Sequence, residues 1–331
     1  MPAGRKLGSA LMLTLVVAAA GCGADPAGEA PAAKAATRAF PMPGGDVTIP
    51  ADPRRVVATG YAVPALIEAG AKLAGISSWK RGLPMMDAAS RATYDKLPKV
   101  AGETAAETNY EAIANARPDL IVIGVPAPVL ADIDLERLRS IAPVVTIGPT
   151  IPSAWRELSQ RQADAAGALR GLDTVKAAYE ARAAELKTKY EKVLPSLKLA
   201  HVGSYGQVDK GAFHREFNGS WGTNIANDIG ANYYGQVKVK GGGSKDVSEY
   251  PSIEELPAAL GEADAVTYSV GADGKPLPAV QYVLDSALWK RLPAVKAGKV
   301  YPIRYTEAAT YGQARLALDA LDASLAPLAA K

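Results

Sequence analysis

The chain has 331 residues, 48% of them hydrophobic and 21% charged, an ordinary globular composition long enough for about two domains. Lys and Arg total 37 against 34 Asp and Glu, and the resulting formal charge of +3 lacks the basic surplus of a nucleic-acid binder. Two histidines (His201 and His214) and one cysteine (Cys22) leave almost no room for disulfides, a zinc cluster or a Cys/His nucleophile pair in the folded body. Fourteen Tyr and four Trp against three Phe favour rings with a polar tip, a type common on binding surfaces.

In chain order, the first feature is an address. Residues 1–21 carry Arg5 and Lys6 ahead of an apolar run that ends in small residues, the pattern of a secretory signal and too short for a stable membrane span. Ala19-Ala20-Gly21-Cys22 resembles the lipobox of bacterial lipoproteins, with Ala19 where that family prefers Leu. The resemblance implies cleavage after Gly21 and a lipid on Cys22; a secreted protein with a free thiol is the plainer alternative. Removing residues 1–21 takes away two cations and no acid, so the charge falls from +3 to +1 and anchoring would not draw on a polybasic patch. Residues 23–39 are Ala, Pro, Gly and scattered charge without apolar period, and a flexible tether is expected over 22–45.

The body then alternates short apolar runs with helical patterns. Strands are expected at Val56–Thr59, Leu73–Ser77, Leu120–Gly124, Val144–Gly148, Lys198–Tyr205, Ala265–Val270 and Lys299–Ile303. Helices are expected at Ala62–Ala69, Tyr110–Ala116, Asp132–Ser140, Ser252–Leu260 and Val280–Arg291, with a final helix beginning near Tyr311. Such alternation with parallel crossovers predicts an α/β fold. Ser153–Val193 breaks the rhythm: Leu172, Tyr179, Ala183, Leu186 and Tyr190 form part of a stripe at helical spacing, which Gly167 and Gly171 could divide. The expected layout is an N-terminal α/β lobe over 46–152, a connecting helix region over 153–194, and a C-terminal α/β lobe over 195–331. A partial echo links the lobes: Asn109-Tyr110-Glu111 leads through Asp119 into one apolar strand, and Ser252-Ile253-Glu254 leads through Asp264 into another.

These units carry a resemblance. Asp52-Pro53-Arg54-Arg55-Val56-Val57 followed by Ala65–Ile76, then Asn109-Tyr110-Glu111 through Pro118-Asp119-Leu120-Ile121, then Ser252–Asp264 and finally Leu292–Tyr301, are together similar to the iron-siderophore and cobalamin substrate-binding proteins of ABC importers. The order and spacing match over nearly all of Val47–Leu328. The resemblance implies two α/β lobes with central sheets, one rigid connecting helix, a ligand cleft between the lobes and little hinge motion. It also implies that Glu111 and Glu254 dock on arginines of the membrane permease. Read locally, both acids sit in the first turn of a helix, where a negative charge offsets unpaired N–H groups. The spacing of Ser252 and Glu255 suits a capping box and leaves Glu254 free to point outward.

Ligands of open α/β sheets sit beyond the carboxyl ends of strands. That rule draws attention to Tyr61, Trp79-Lys80-Arg81, Tyr205 and Arg304-Tyr305, together with His214, Arg215 and Trp221 before Ile225, and Tyr311 at the final helix. A ferric siderophore brings iron already saturated by oxygen donors. Its site therefore needs no direct metal ligands and no cofactor, only cations for the ligand oxygens and aromatic walls for the organic backbone. Arg81, Arg215 and Arg304 are the leading donors, and Trp79, Tyr205, Trp221 and Tyr305 the leading walls.

The expected protein is thus an exported monomer, not an enzyme, lipid-anchored to the outer face of the cytoplasmic membrane. It would hand a ferric siderophore, of hydroxamate or catecholate type, to its ABC permease. Cobalamin or haem in the same fold is the alternative cargo. A secreted hydrolase or a surface adhesion protein is the alternative class. Gly203-Ser204-Tyr205-Gly206 is not a nucleophile elbow, and Gly241-Gly242-Gly243 lacks the Lys-Ser/Thr of a phosphate loop and is expected to be a mobile loop.

Overall fold

The computed structural model describes residues 36–329; the signal segment, Cys22 and the tether up to residue 35 lie outside the described residues. Two short strands open the body: β1 (Thr37–Phe40) pairs antiparallel with β2 (Val47–Pro50). Phe40 and Ile49 are buried, and Arg38 reaches Asp164 at 2.9 Å. The tether expected to run to residue 45 therefore gives way to a strand at Thr37. Four residues carry too little alternation to be read locally; the hairpin is fixed by the core it covers.

The N-terminal lobe follows as β3 (Val56–Gly60), α1 (Ala62–Glu68), β4 (Leu73–Ser77), α2 (Ala88–Lys96), β5 (Lys99–Ala101), α3 (Tyr110–Asn115), β6 (Leu120–Gly124), α4 (Leu135–Arg139) and β7 (Val144–Thr146). Its sheet has the order β5-β4-β3-β6-β7 and every pair is parallel. Helices cover both faces, which is why β6 is apolar throughout. Leu120 and Val122 face the cluster that contains Val63, Leu66 and Leu158, while Ile121 and Ile123 face Ile113 and Leu138.

Two helices then span the middle of the chain, α5 (Trp155–Ala165) and α6 (Leu169–Tyr190). Gly167, with φ of 66°, separates them. Leu158, Ala165 and Ala166 belong to the N-lobe core, whereas Leu172, Tyr179, Ala183, Leu186 and Tyr190 belong to the core of the second lobe. At 22 residues, α6 is about 33 Å long.

The C-terminal lobe comprises β8 (Leu199–Gly203), β9 (His214–Glu216), α7 (Asn224–Asp228), β10 (Ser248–Glu249), α8 (Leu256–Leu260), β11 (Ala265–Ser269), α9 (Pro278–Asp285), α10 (Pro293–Lys296), β12 (Val300–Ile303) and α11 (Tyr311–Ala329). Its sheet order is β10-β9-β8-β11-β12. The three strands β8, β11 and β12 are parallel, but β9 and β10 add an antiparallel edge that alternation alone did not announce. The final helix packs Ala314, Leu318, Leu321 and Leu325 into the same core as the apolar face of α6.

The sequence echo has a physical basis. Asp119 accepts the backbone N–H groups of Arg54 and Arg55 at 2.6 and 2.9 Å, just before β3, and Asp264 accepts that of Lys198 at 2.8 Å, just before β8. In each lobe the same acid ties the entry of the first sheet strand to the entry of its neighbour. Among the described residues, no helix is long and apolar enough to cross a membrane.

Candidate ligand cleft

The carboxyl ends of β3 and β4 in the first lobe and of β8 in the second face one region. Tyr61 follows β3 directly, its N–H held by the Gly124 carbonyl at the end of β6 (2.9 Å). Trp79 follows β4, and its N–H donates to the Tyr94 hydroxyl at 2.9 Å. The Trp79 and Tyr61 rings meet edge to face at 4.8 Å. Arg81 lies over both, with its guanidinium carbon 4.1 Å from the Trp79 ring centre and 4.7 Å from that of Tyr61. Trp221 stacks on Tyr61 from the other lobe at 6.0 Å and 12°, and Tyr205 leans on Trp221 at 5.3 Å. Five of the residues expected at the site, Tyr61, Trp79, Arg81, Tyr205 and Trp221, thus form one continuous group across the lobe boundary.

Beside this group lies a cavity of about 470 Å³. Tyr205, Trp221 and Gly241–Ser244 form its C-lobe side, and Pro126–Pro128 with Pro149–Pro152 form its N-lobe side. Among the described residues, no charged side chain lines it. Burial pushes the Tyr61 hydroxyl well above the usual tyrosine range, an effect that Arg81 opposes. Burial likewise raises the carboxyl of Glu307, which follows β12 and feels the charge of Arg81. Among the described residues, the Arg81 side chain makes no ion pair, and the buried indole N–H of Trp221 has no hydrogen-bond partner. The arrangement offers a flat cation on two aromatic faces, joined through the Tyr61 ring to Trp221, which borders an apolar hollow.

The other expected residues are placed elsewhere. Arg215 lies in β9, not in a loop, and strand alternation puts it on the face opposite His214 and Glu216. It rests on Phe217 (4.6 Å) and Tyr234 (5.3 Å) and faces Glu249 across the strand pair at 3.6 Å. His214 is buried and stacked on Tyr250 at 4.6 Å, with its Nδ1 3.3 Å from Glu216. Burial lowers the His214 pKa to about 3 and raises that of Glu216 to about 7. Arg304 and Tyr305 line a separate hollow of about 410 Å³ along α11, with Val270, Leu316 and Ala320. Tyr311 packs against Trp155 (5.0 Å) and Tyr179 (5.7 Å) where α5, α6 and α11 meet. Lys80 opens the short 3-10 turn before Arg81 and joins no ring pair of the cluster.

Glu111 and Glu254 are both exposed, at equivalent points of the two lobes. Asn109 caps α3 by accepting the Ala112 N–H at 3.0 Å, and Ser252 accepts that of Glu254 at 3.3 Å. Lys238 pairs with Glu255 at 2.6 Å, leaving Glu254 and Glu111 without an ion pair among the described residues. Sequence reasoning passed over the proline walls, Glu307 and Tyr250. Pro126 and Pro149 stand just past the ends of β6 and β7, where the strand-end rule points, but a search for aromatic and basic side chains in those loops passes over prolines.

Comparison with known proteins gives this geometry a family. Residues 56–305 match the family model described as periplasmic binding protein. Two curated relatives from Bacillus subtilis (strain 168) are iron(3+)-hydroxamate-binding proteins. YxeB is 27% identical over 290 residues (86% of this chain, 82% of the relative), and FhuD is 27% identical over 311 residues (90% of each). Among solved structures, the siderophore periplasmic binding protein from the fuscachelin gene cluster of Thermobifida fusca is 30% identical, with a TM-score of 0.66 over 85% of this chain and 99% of its own. The two α/β lobes and the cleft expected from sequence are the architecture of that family, and this chain belongs to the periplasmic binding proteins, with the fold of their siderophore-binding members.

Proposed function

We propose that the protein is the substrate-binding component of an ABC importer and that its cleft captures a ferric siderophore. The observation that carries the reading is Arg81, spread over Trp79 and Tyr61 with no ion pair among the described residues, in one aromatic group with Tyr205 and Trp221, which wall the hollow. Iron in such a complex is already filled by ligand oxygens. The guanidinium fork suits paired oxygens, and the rings and prolines suit the organic backbone. The relatives' names, which refer to ferric hydroxamates and to siderophores, support the same cargo class. No catalytic step is part of this reading. The lipid on Cys22, anchorage at the outer face of the cytoplasmic membrane, a monomeric state and docking through Glu111 and Glu254 complete it.

The test is titration of the protein with ferric hydroxamates, ferric catecholates, haem and cobalamin, followed by tryptophan fluorescence. Three of the four Trp residues lie in or near the core between the lobes (Trp79, Trp155 and Trp221), so a ferric siderophore should quench strongly and raise Tm, unchanged in composition after release. Response to haem or cobalamin alone would overturn the cargo assignment, and chemical conversion of the ligand would overturn the class.

A further inference from the structure

Among the described residues the cavity wall is uncharged, yet one segment beside it is basic. Gly241–Ser244 line the hollow on the C-lobe side; Lys240 immediately precedes them and Lys245 immediately follows. The segment lies between α7 and β10, the edge strand of the sheet. Its backbone comes up to the N-lobe at Thr150, whose carbonyl oxygen would lie 3.4 Å from a β-carbon on Gly243. Gly242 and Gly243 hold φ of 78° and 59°, a conformation that side-chain-bearing residues rarely adopt and that lets the chain turn beside the opening. Val239, beside Lys240, is 83% exposed, the most exposed of the large hydrophobic residues among the described residues.

The charges of the segment divide into engaged and free. Lys238 pairs with Glu255, and the Asp246 carboxylate accepts the Gly242 N–H at 2.9 Å, which stiffens the turn. The Lys245 stem lies along Gly241, within 3.0 Å of where a β-carbon would stand. Lys240 and Lys245 make no ion pair among the described residues. Two unpaired ammonium groups therefore flank the four residues that face the ligand space. Both ammonium groups are exposed, so their attraction for an anion at the cleft is long-ranged and weakened by salt.

We infer that residues 238–246 form a basic flap over the cleft and that Lys240 and Lys245 set cargo selection by charge, raising affinity for anionic ferric complexes relative to neutral ones. The inference rests on the siderophore reading and adds the criterion of choice within that class. Charge balance makes the criterion sharp. Ferric iron held by three hydroxamates is neutral, whereas iron held by three catecholates carries three negative charges.

The experiment compares the intact protein with a Lys240→Gln/Lys245→Gln double variant, using one neutral ferric tris-hydroxamate and one ferric tris-catecholate as probes. Kd is read by tryptophan quenching at low and at high salt. The double variant should lose about tenfold affinity for the trianion and less than twofold for the neutral complex, and its trianion binding should depend less on salt. Equal losses for both probes, no loss for either, or a native protein that binds the neutral complex and ignores the trianion would each overturn the flap's role. A native protein that binds neither probe would instead overturn the siderophore reading itself. Both lysines are exposed, and unchanged Tm of the variant separates loss of selection from loss of fold.

Discussion

At the scale of single residues, position within an element decided what each candidate does. Arg81 and Arg215 looked alike in sequence, each beside an aromatic. One follows a parallel strand into the cleft, and the other stands in a strand whose pleat turns it to the opposite face. His214, on the inward face of that strand, is buried with both ring nitrogens lacking hydrogen-bond partners among the described residues. Its folded pKa of about 3 lies far below the unfolded 6.5, so the folded ring stays neutral while the unfolded ring takes a proton below pH 6.5. Stability from this residue is thus fully present above pH 6.5 and is lost progressively as pH falls towards 3. Replacing it isolates the effect: His214→Leu should lose about 2 to 3 kcal/mol less than the native protein between pH 6.5 and 4.5. Urea unfolding at the two pH values measures the difference, and parallel pH profiles would refute it.

At the scale of elements, close backbone approach and helix-end chemistry hold the lobes together. Gly171 sits in the first turn of α6, where a β-carbon would collide with the Ala69 carbonyl at the end of α1. Helix propensity alone would make Gly171→Ala stabilising by about 1 kcal/mol. The contact predicts the reverse, a loss of about 2 kcal/mol as α1 and α6 are forced apart. Thermal unfolding with van't Hoff analysis distinguishes the signs. From the same end of α1, Glu68 accepts the Thr310 hydroxyl at 2.5 Å and the Gly312 N–H at 2.9 Å, so an N-lobe acid occupies the first turn of α11. On the outer side, Arg182 of α6 binds Asp319 and Asp322 of α11 at 2.8 and 3.0 Å. These ties join the last helix of the chain to the first lobe and to the spine, which suits a body with little hinge motion.

At the scale of the whole molecule, two exposed acids stand at equivalent places on two lobes. Glu111 and Glu254 are far in sequence from the aromatic cluster, and neither lines the cavity. If they orient the protein on its permease, Glu111→Arg/Glu254→Arg should leave siderophore Kd within twofold and Tm unchanged while reducing ATP-coupled uptake at least tenfold in reconstituted vesicles. Undiminished uptake would sink the docking role. A weakened Kd would move both residues into the cargo site.

The amino-acid sequence alone determined the alternation of strand and helix, the long helical stretch, the paired entry aspartates and the strand-end position of Tyr61, Trp79 and Arg81. These follow from local apolar periodicity and from a topological rule that needs only strand ends. The structure decided what no local pattern encodes. The strands β1, β5, β9 and β10 are two to four residues long and owe their form to the neighbours they pair with. Tyr305 and Tyr311 are aromatic and near strand or helix ends like Tyr61, yet long-range packing against α11 and α6 takes them away from the cavity. Periodicity reports which face of a segment is apolar; which other segment that face meets is a property of the folded chain, because packing partners here lie 100 residues or more apart, as Tyr61 and Trp221 do.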